Sequence, residues 1–134
     1  MKYLIDTHIF LWSLFSPEKI TRHVAKIILD SGNRIFVSPI TFWEISLKFS
    51  IKKLELEGIT PDELPEFASK MNFELLSLSA EDAASFYHLP KIAHKDPFDR
   101  MLIWQAIREK MVLISKDSKI AAYEGYGLKI LPIS

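Results

Sequence analysis

Short apolar runs that do not alternate with polar residues constrain this chain more than any other feature. KYLI at 2–5, RIFVS at 34–38, MVLIS at 111–115 and LKILP near the end each read as a strand, and FELLSLS at 73–79 contains another. A strand buried on one face alternates apolar and polar residues; a strand covered on both faces does not. Helical segments lie between the runs. Residues 7–15 form an apolar helix stopped near Ser16-Pro17. Ile20, Val24, Ile27 and Ile28 space a helix over 19–30, ended by Ser31-Gly32-Asn33. Ser38 as N-cap with Pro39 at the first position opens a helix to about Ile51. Residues 52–60 carry no clear pattern, and 61–71 look helical. Ser79 with Asp82 resembles a capping box opening a helix through Tyr87. A long helix covers 97–110, and a short one covers 118–124, broken by Gly125 and Gly127. Alternation of this kind predicts an α/β fold, a mostly parallel sheet flanked by helices. With 134 residues, no repeat and no linker, residues 1–134 read as a single domain with one core.

Charge and composition narrow the function classes. Basic and acidic residues number 17 each, which argues against holding nucleic acid by bulk charge alone. Metal ions can supply positive charge locally in a protein of neutral balance. The absence of cysteine excludes disulfides and thiolate metal sites and fits a reducing compartment. The apolar run from Ile9 to Phe15 is too short to span a bilayer, so the expected location is cytoplasmic with no membrane contact.

Acids fall where such a sheet binds ligands, outside the carboxyl ends of its strands. Asp6 ends the first strand, Asp117 follows the strand at 111–115, Asp99 lies in the first turn of the long helix, and Glu44 lies in the helix after 34–38. On a helical wheel Asp99 falls among Leu102, Ile103 and Ala106. Glu44 falls at the edge of a stripe of Ile40, Trp43, Leu47 and Ile51, and Phe42, Ile45 and Phe49 form a second stripe on the opposite side; one stripe can face the sheet, and the other needs a cover from the helix near 61–71 or another subunit. Carboxylates beside apolar stripes are costly unless paired or bound to a cation, and a cluster of them raises its own pKa values. All-oxygen ligands point to Mg²⁺ or Mn²⁺ rather than zinc. Metals held this way suit phosphodiester hydrolysis.

Several of these residues also have ordinary readings. Asp6 can cap the following helix, Asp117 can be a turn residue, and Asp96 before Pro97 has the position of an N-cap. Thr7 and Ser115 suit local hydrogen bonds. Lys48, one turn after Glu44, can form a helix pair, neutralise the acids or touch phosphate. Arg100 and Lys116 flank site acids and can bind RNA or face solvent. Trp12, Trp43 and Trp104 suit the core better than base stacking. His8 and His94 read as structural or surface residues.

Four segments taken in order resemble PIN-domain proteins. They are MKYLIDTHIFLW, SPITFWEISLK, DPFDRMLIWQA and VLISKD, and they extend across essentially the whole chain. The DPFDR and WEI-x-x-K forms resemble VapC-like toxins of bacterial toxin–antitoxin pairs. The resemblance implies Mg²⁺- or Mn²⁺-dependent endoribonuclease activity, a homodimer, and inhibition by a small protein antitoxin. It carries Asp6, Glu44, Asp99 and Asp117 as the metal-site residues, with Thr7 and Ser115 as supporting hydroxyls. The chain departs from the pattern at His8, where a small polar residue is common, and at Asp96, an additional acid with a possible outer-shell role. Competing readings are a catalytically inactive PIN-like interaction module and a Mg-dependent phosphatase of another family. A haloacid-type phosphatase would place a second Asp where His8 stands. A nucleotide-binding module would want a glycine-rich loop, and the chain has four glycines.

Overall fold

The computed structural model describes residues 1–93 and 95–131. His94, and the Pro132 expected to close the last strand, lie outside them. Five strands form one sheet: β1 (Lys2–Ile5), β2 (Arg34–Val37), β3 (Glu74–Leu75), β4 (Val112–Ile114) and β5 (Lys129–Leu131). Their order is β3-β2-β1-β4-β5, and every neighbouring pair is parallel. The expected α/β fold with a parallel sheet is therefore present.

Two-residue periodicity divides the strands between two cores. Tyr3, Ile5, Ile35, Val37 and Ile114 pack on one face. There they meet α1 (Thr7–Phe15), α2 (Arg22–Leu29), part of α3 (Pro39–Ser50) and α4 (Leu64–Lys70) through Ile9, Phe10, Val24, Ile45, Leu64 and Ala68. Leu4, Phe36 and Leu113 point the other way, toward Leu102, Ile103 and Ala106 of α6 (Pro97–Arg108) and toward Ile120 and Tyr123. Both faces are covered, which is why the strands read as continuous apolar runs.

Several local expectations are corrected. The helix expected over 19–30 begins only at Arg22, where the Thr21 hydroxyl accepts from the Val24 N–H at 3.3 Å; Pro17–Lys19 form a separate 3₁₀ turn. The segment after β4 is also 3₁₀, Ser118–Tyr126, and it runs through Gly125. It stops at Gly127, whose φ of 97° is a left-handed conformation that a Cβ would strain. At α5 (Ala80–Ser85) the Ser79 hydroxyl does accept from the Asp82 N–H at 3.0 Å. The Asp82 carboxylate does not complete a box; it is buried and accepts from Arg108 Nε at 3.0 Å.

Packing decides which stripe of α3 is covered. This helix buries Ile40, Thr41, Glu44 and Ile45. Trp43, Leu47 and Ile51 are exposed by 61%, 41% and 53%, so the stripe without a cover is theirs. Phe42 and Ile45 of the opposite stripe pack within the chain, in the core that holds Leu64 and Ala68. Trp43 is accordingly a surface residue with an edge-on contact to Phe98, ring centroids 5.2 Å apart.

Candidate active site

The strand order reverses between β1 and β4, since the chain builds outward from β1 to β3 and then returns to add β4 and β5 on the other side. At such a switch point the connections leave in opposite directions and open a crevice at the carboxyl ends. Asp6 follows β1 directly, and Ser115 and Asp117 follow β4. Asp99 comes over the same crevice from the first turn of α6. Asp6, Asp99, Ser115 and Asp117 line one pocket together with Leu102, Ile103, Leu113 and Ile120. Its volume is ≈ 10 Å³, about the room one water molecule needs.

Each acid is held by backbone geometry that its local sequence dictates. Asp6 is the N-cap of α1, its carboxylate accepting from the Ile9 N–H at 2.8 Å. Asp117 caps the 3₁₀ segment, accepting from the Lys119 N–H at 2.9 Å, while its own N–H donates to Ser115 Oγ at 3.0 Å. Asp96 caps α6, accepting from the N–H groups of Phe98 at 2.8 Å and Asp99 at 3.2 Å. This leaves Asp99 one turn inside the helix, beside Leu102 and Ile103, which are almost fully buried. Capping and lining the pocket are thus compatible for Asp6 and Asp117.

Burial and mutual repulsion set the electrostatics. Asp99 is pushed up to about 7, first by burial and then by the charges of Asp96, Glu44, Asp6 and Asp117. Burial also raises Asp6, opposed by hydrogen bonds from the Ile9 N–H and the Ser115 hydroxyl. Burial and the neighbouring charge of Lys116 lower His8, whose ring lies 6.4 Å from that of Trp12.

Glu44 is placed differently from the other three acids. It is 3% exposed and does not line the pocket; Thr7 Oγ1 donates to one oxygen at 2.7 Å and Lys48 Nζ to the other at 2.5 Å. Thr7 Oγ1 is also 3.2 Å from Thr41 Oγ1, and Thr41 is fully buried. Sequence reasoning missed Thr41, although its spacing of three from Glu44 puts both on one helix face. Arg100 is not brought to the pocket. Its guanidinium donates to the Leu89 carbonyl at 2.9 Å and sits 4.8 Å from the Phe86 ring. Lys116 is exposed beside the crevice, next to Asp117 in the chain.

Among the described residues no three acidic or imidazole groups are gathered as a ready-made metal cage. The pocket is lined by acids rather than closed by them. The donors nevertheless fit a hard divalent cation: they are all oxygen, they come from the ends of separate elements, and burial with mutual repulsion holds Asp99 at about 7, a cost that a bound cation would relieve. Among the described residues no helix is long and apolar enough to cross a membrane.

Fold and site define an α/β protein with an acidic crevice at the switch point of its sheet. A family model described as PIN domain matches residues 3–126, and the chain belongs to the PIN-domain family, whose nucleases use divalent metals. That membership removes the phosphatase of another family. The fold is shared with solved toxin–antitoxin structures. VapBC2 from Rickettsia felis bound to a DNA fragment from its promoter matches at 18% identity and TM-score 0.70, covering 98% of each chain. VapBC from Salmonella typhimurium bound to DNA matches at 15% identity and TM-score 0.67, covering 98% of this chain and 97% of the other. FitAcB from Neisseria gonorrhoeae matches at 19% identity and TM-score 0.63, covering 97% and 96%. No curated protein sequence matches the chain.

Proposed function

We propose that this protein is a Mg²⁺- or Mn²⁺-dependent endoribonuclease and the toxin of a toxin–antitoxin pair. The observation that carries the reading is the meeting of Asp6, Asp99 and Asp117, from three separate segments, in one ion-sized pocket at the switch point. In this reading Asp6, Asp99 and Asp117 hold the metal, and Glu44 joins them from the neighbouring helix. Asp96 is mainly the cap of α6 and acts on the metal only at outer-shell distance. Thr7 and Ser115 are supporting hydroxyls: one orients Glu44, the other orients Asp6 and the turn before Asp117. A bound divalent cation supplies Lewis-acid activation of water and of the scissile phosphate. The chain's own residues fix where that happens. The exposure of Lys116 next to Asp117 supports a contact with the RNA backbone; Arg100, turned toward Phe86 and Leu89, has no such support.

The neutral overall charge fits RNA held locally at the site rather than by bulk charge. The exposed Trp43 and Leu47 stripe, beside an apolar cleft of ≈ 160 Å³ lined by Ile40, Trp43, Phe86, Pro97, Phe98 and Met101, is the surface proposed for a homodimer. A groove of ≈ 390 Å³ lined by Leu11, Trp12, Phe15, Leu54 and Leu56 is of a size to take a segment of a protein antitoxin. A solved structure of the same fold, from Klebsiella pneumoniae, is a toxin–antitoxin complex.

The test is cleavage of end-labelled structured RNA by the purified chain with Mg²⁺ or Mn²⁺. Cleavage should disappear in excess EDTA and in Asp6→Asn, which keeps a residue able to cap α1 and so keeps the fold. Equal cutting in EDTA would overturn the metal reading. A folded, metal-binding chain that cuts no RNA would favour the inactive interaction module.

A further inference from the structure

Lys48 and Glu44 have the spacing of an ordinary helix pair, four residues apart on α3. Their environment is not ordinary. The Glu44 side chain is 4% exposed and that of Lys48 36%, so the ammonium reaches inward from the surface to a carboxylate that is out of water. Both Glu44 oxygens are taken, one by Thr7 and one by Lys48. A carboxylate in this state already has its charge balanced by the ammonium and one lone pair of each oxygen engaged, so a cation in the adjoining pocket must compete with Lys48 for it. Lys48 also feels Asp96 and Asp99, whose charges, after the Glu44 hydrogen bond, favour its protonated form.

We propose that Lys48 is a built-in counter-ion of the acid pocket: it occupies Glu44 when no divalent cation is bound and is displaced when one binds, releasing Glu44 to face the cation. The inference rests on reading the pocket as a metal site. The physical grounds are the asymmetry of the pair. Lysine carries a compact charge on a flexible four-carbon stem, and more than a third of this side chain is already in water. Its head can therefore move to solvent at small cost. Glu44 is buried and keeps its hydrogen bond from Thr7, so its carboxylate stays beside the pocket when the ammonium leaves. Removing the ammonium while no cation is present would leave a buried carboxylate uncompensated, which is strongly unfavourable. One positive charge is thus required beside Glu44 at all times, and a divalent cation and Lys48 compete to supply it.

The experiment measures Mn²⁺ binding to the full chain by calorimetry, with no RNA present. Lys48→Gln, which can still hydrogen-bond Glu44 but carries no charge, should bind Mn²⁺ about ten-fold more tightly than the wild type. Lys48→Arg should keep the wild-type affinity. Adding Glu44→Gln to the Lys48→Gln variant should erase the gain. A second measurement uses the wild type alone: saturating Mg²⁺ should speed labelling of the Lys48 amine by an amine-reactive ester several-fold, read by mass spectrometry. Unchanged or weaker Mn²⁺ binding by Lys48→Gln, a gain that persists without Glu44, or labelling of Lys48 indifferent to Mg²⁺ would each overturn the proposal. If neither the wild type nor the variant binds Mn²⁺, the metal reading of the pocket fails and this inference with it. Equal binding by both removes this inference alone.

Discussion

Asp96 and Asp99 are three residues apart and do different things. Asp96 spends an oxygen on two backbone N–H groups, whereas Asp99 faces the pocket from within the helix. Asp96→Ala should cost about 1 kcal/mol in chemical denaturation, as a lost cap does, and leave measurable cleavage. Asp99→Asn should abolish cleavage and leave the metal-free fold as stable or more stable, because it removes repulsion among the acids. An active Asp99→Asn beside a folded, inactive Asp96→Ala would reverse the assignment. The raised Asp99 also predicts a pH dependence. Its folded pKa of about 7 lies above the ordinary carboxylate value of 3.8, so the folded state binds the proton more tightly than the unfolded one. That contribution to stability is complete below about pH 4 and is lost as pH rises through about 7. The metal-free wild type should therefore lose melting temperature between about pH 4 and 7 more steeply than Asp99→Asn. Mn²⁺ affinity should rise over the same interval, since the ligand must be deprotonated. Parallel melting profiles for the two proteins would contradict the cause assigned to Asp99.

Helices and strands here carry polar ties that no local pattern announces. Asp82 of α5 is buried against Arg108 of α6, and the indole N–H of Trp104 donates to the Asp82 carbonyl at 3.0 Å. Arg108→Ala removes one partner of a buried group, which costs about 1–3 kcal/mol. Urea denaturation should show that loss, and Asp82→Asn/Arg108→Ala together should cost less than the two separate losses added. Additive losses would mean that the pair is not coupled. A second tie joins the acid-bearing helices. Ser38, the cap of α3, donates to Gln105 of α6, and both are fully buried. The elements themselves were legible, because caps and apolar spacing are local signals: Ser38-Pro39 and Asp96-Pro97 open α3 and α6 as read. The partners of Asp82 and Ser38 were not legible, since they lie 26 and 67 residues away and depend on how helices pack.

For the whole molecule, the exposed stripe of α3 is the feature that asks for another chain. Trp43 and Leu47 stand in solvent while the opposite side of the helix is packed. Sedimentation at micromolar concentration should give a dimer for the wild type. Trp43→Glu with Leu47→Glu should give a monomer of nearly unchanged melting temperature, because neither side chain is buried in the single chain. A monomeric wild type would contradict the proposed homodimer.

The sequence by itself determined the class of fold and which acids stand at the carboxyl edge of its sheet. Continuous apolar runs separated by capped helices admit few arrangements other than a parallel sheet covered on both faces, and acids just past strand ends must gather at its carboxyl edge. Tertiary structure alone decided three things. It set the strand order β3-β2-β1-β4-β5, which puts Asp6 and Asp117 on either side of the switch point. It turned α3 so that Trp43 faces water and Glu44 faces inward. It withdrew Glu44 from the pocket and gave it to Thr7 and Lys48. Helical periodicity fixes which residues share a face, but the rotation of that face depends on contacts between segments distant in sequence, and those exist only once the chain has packed.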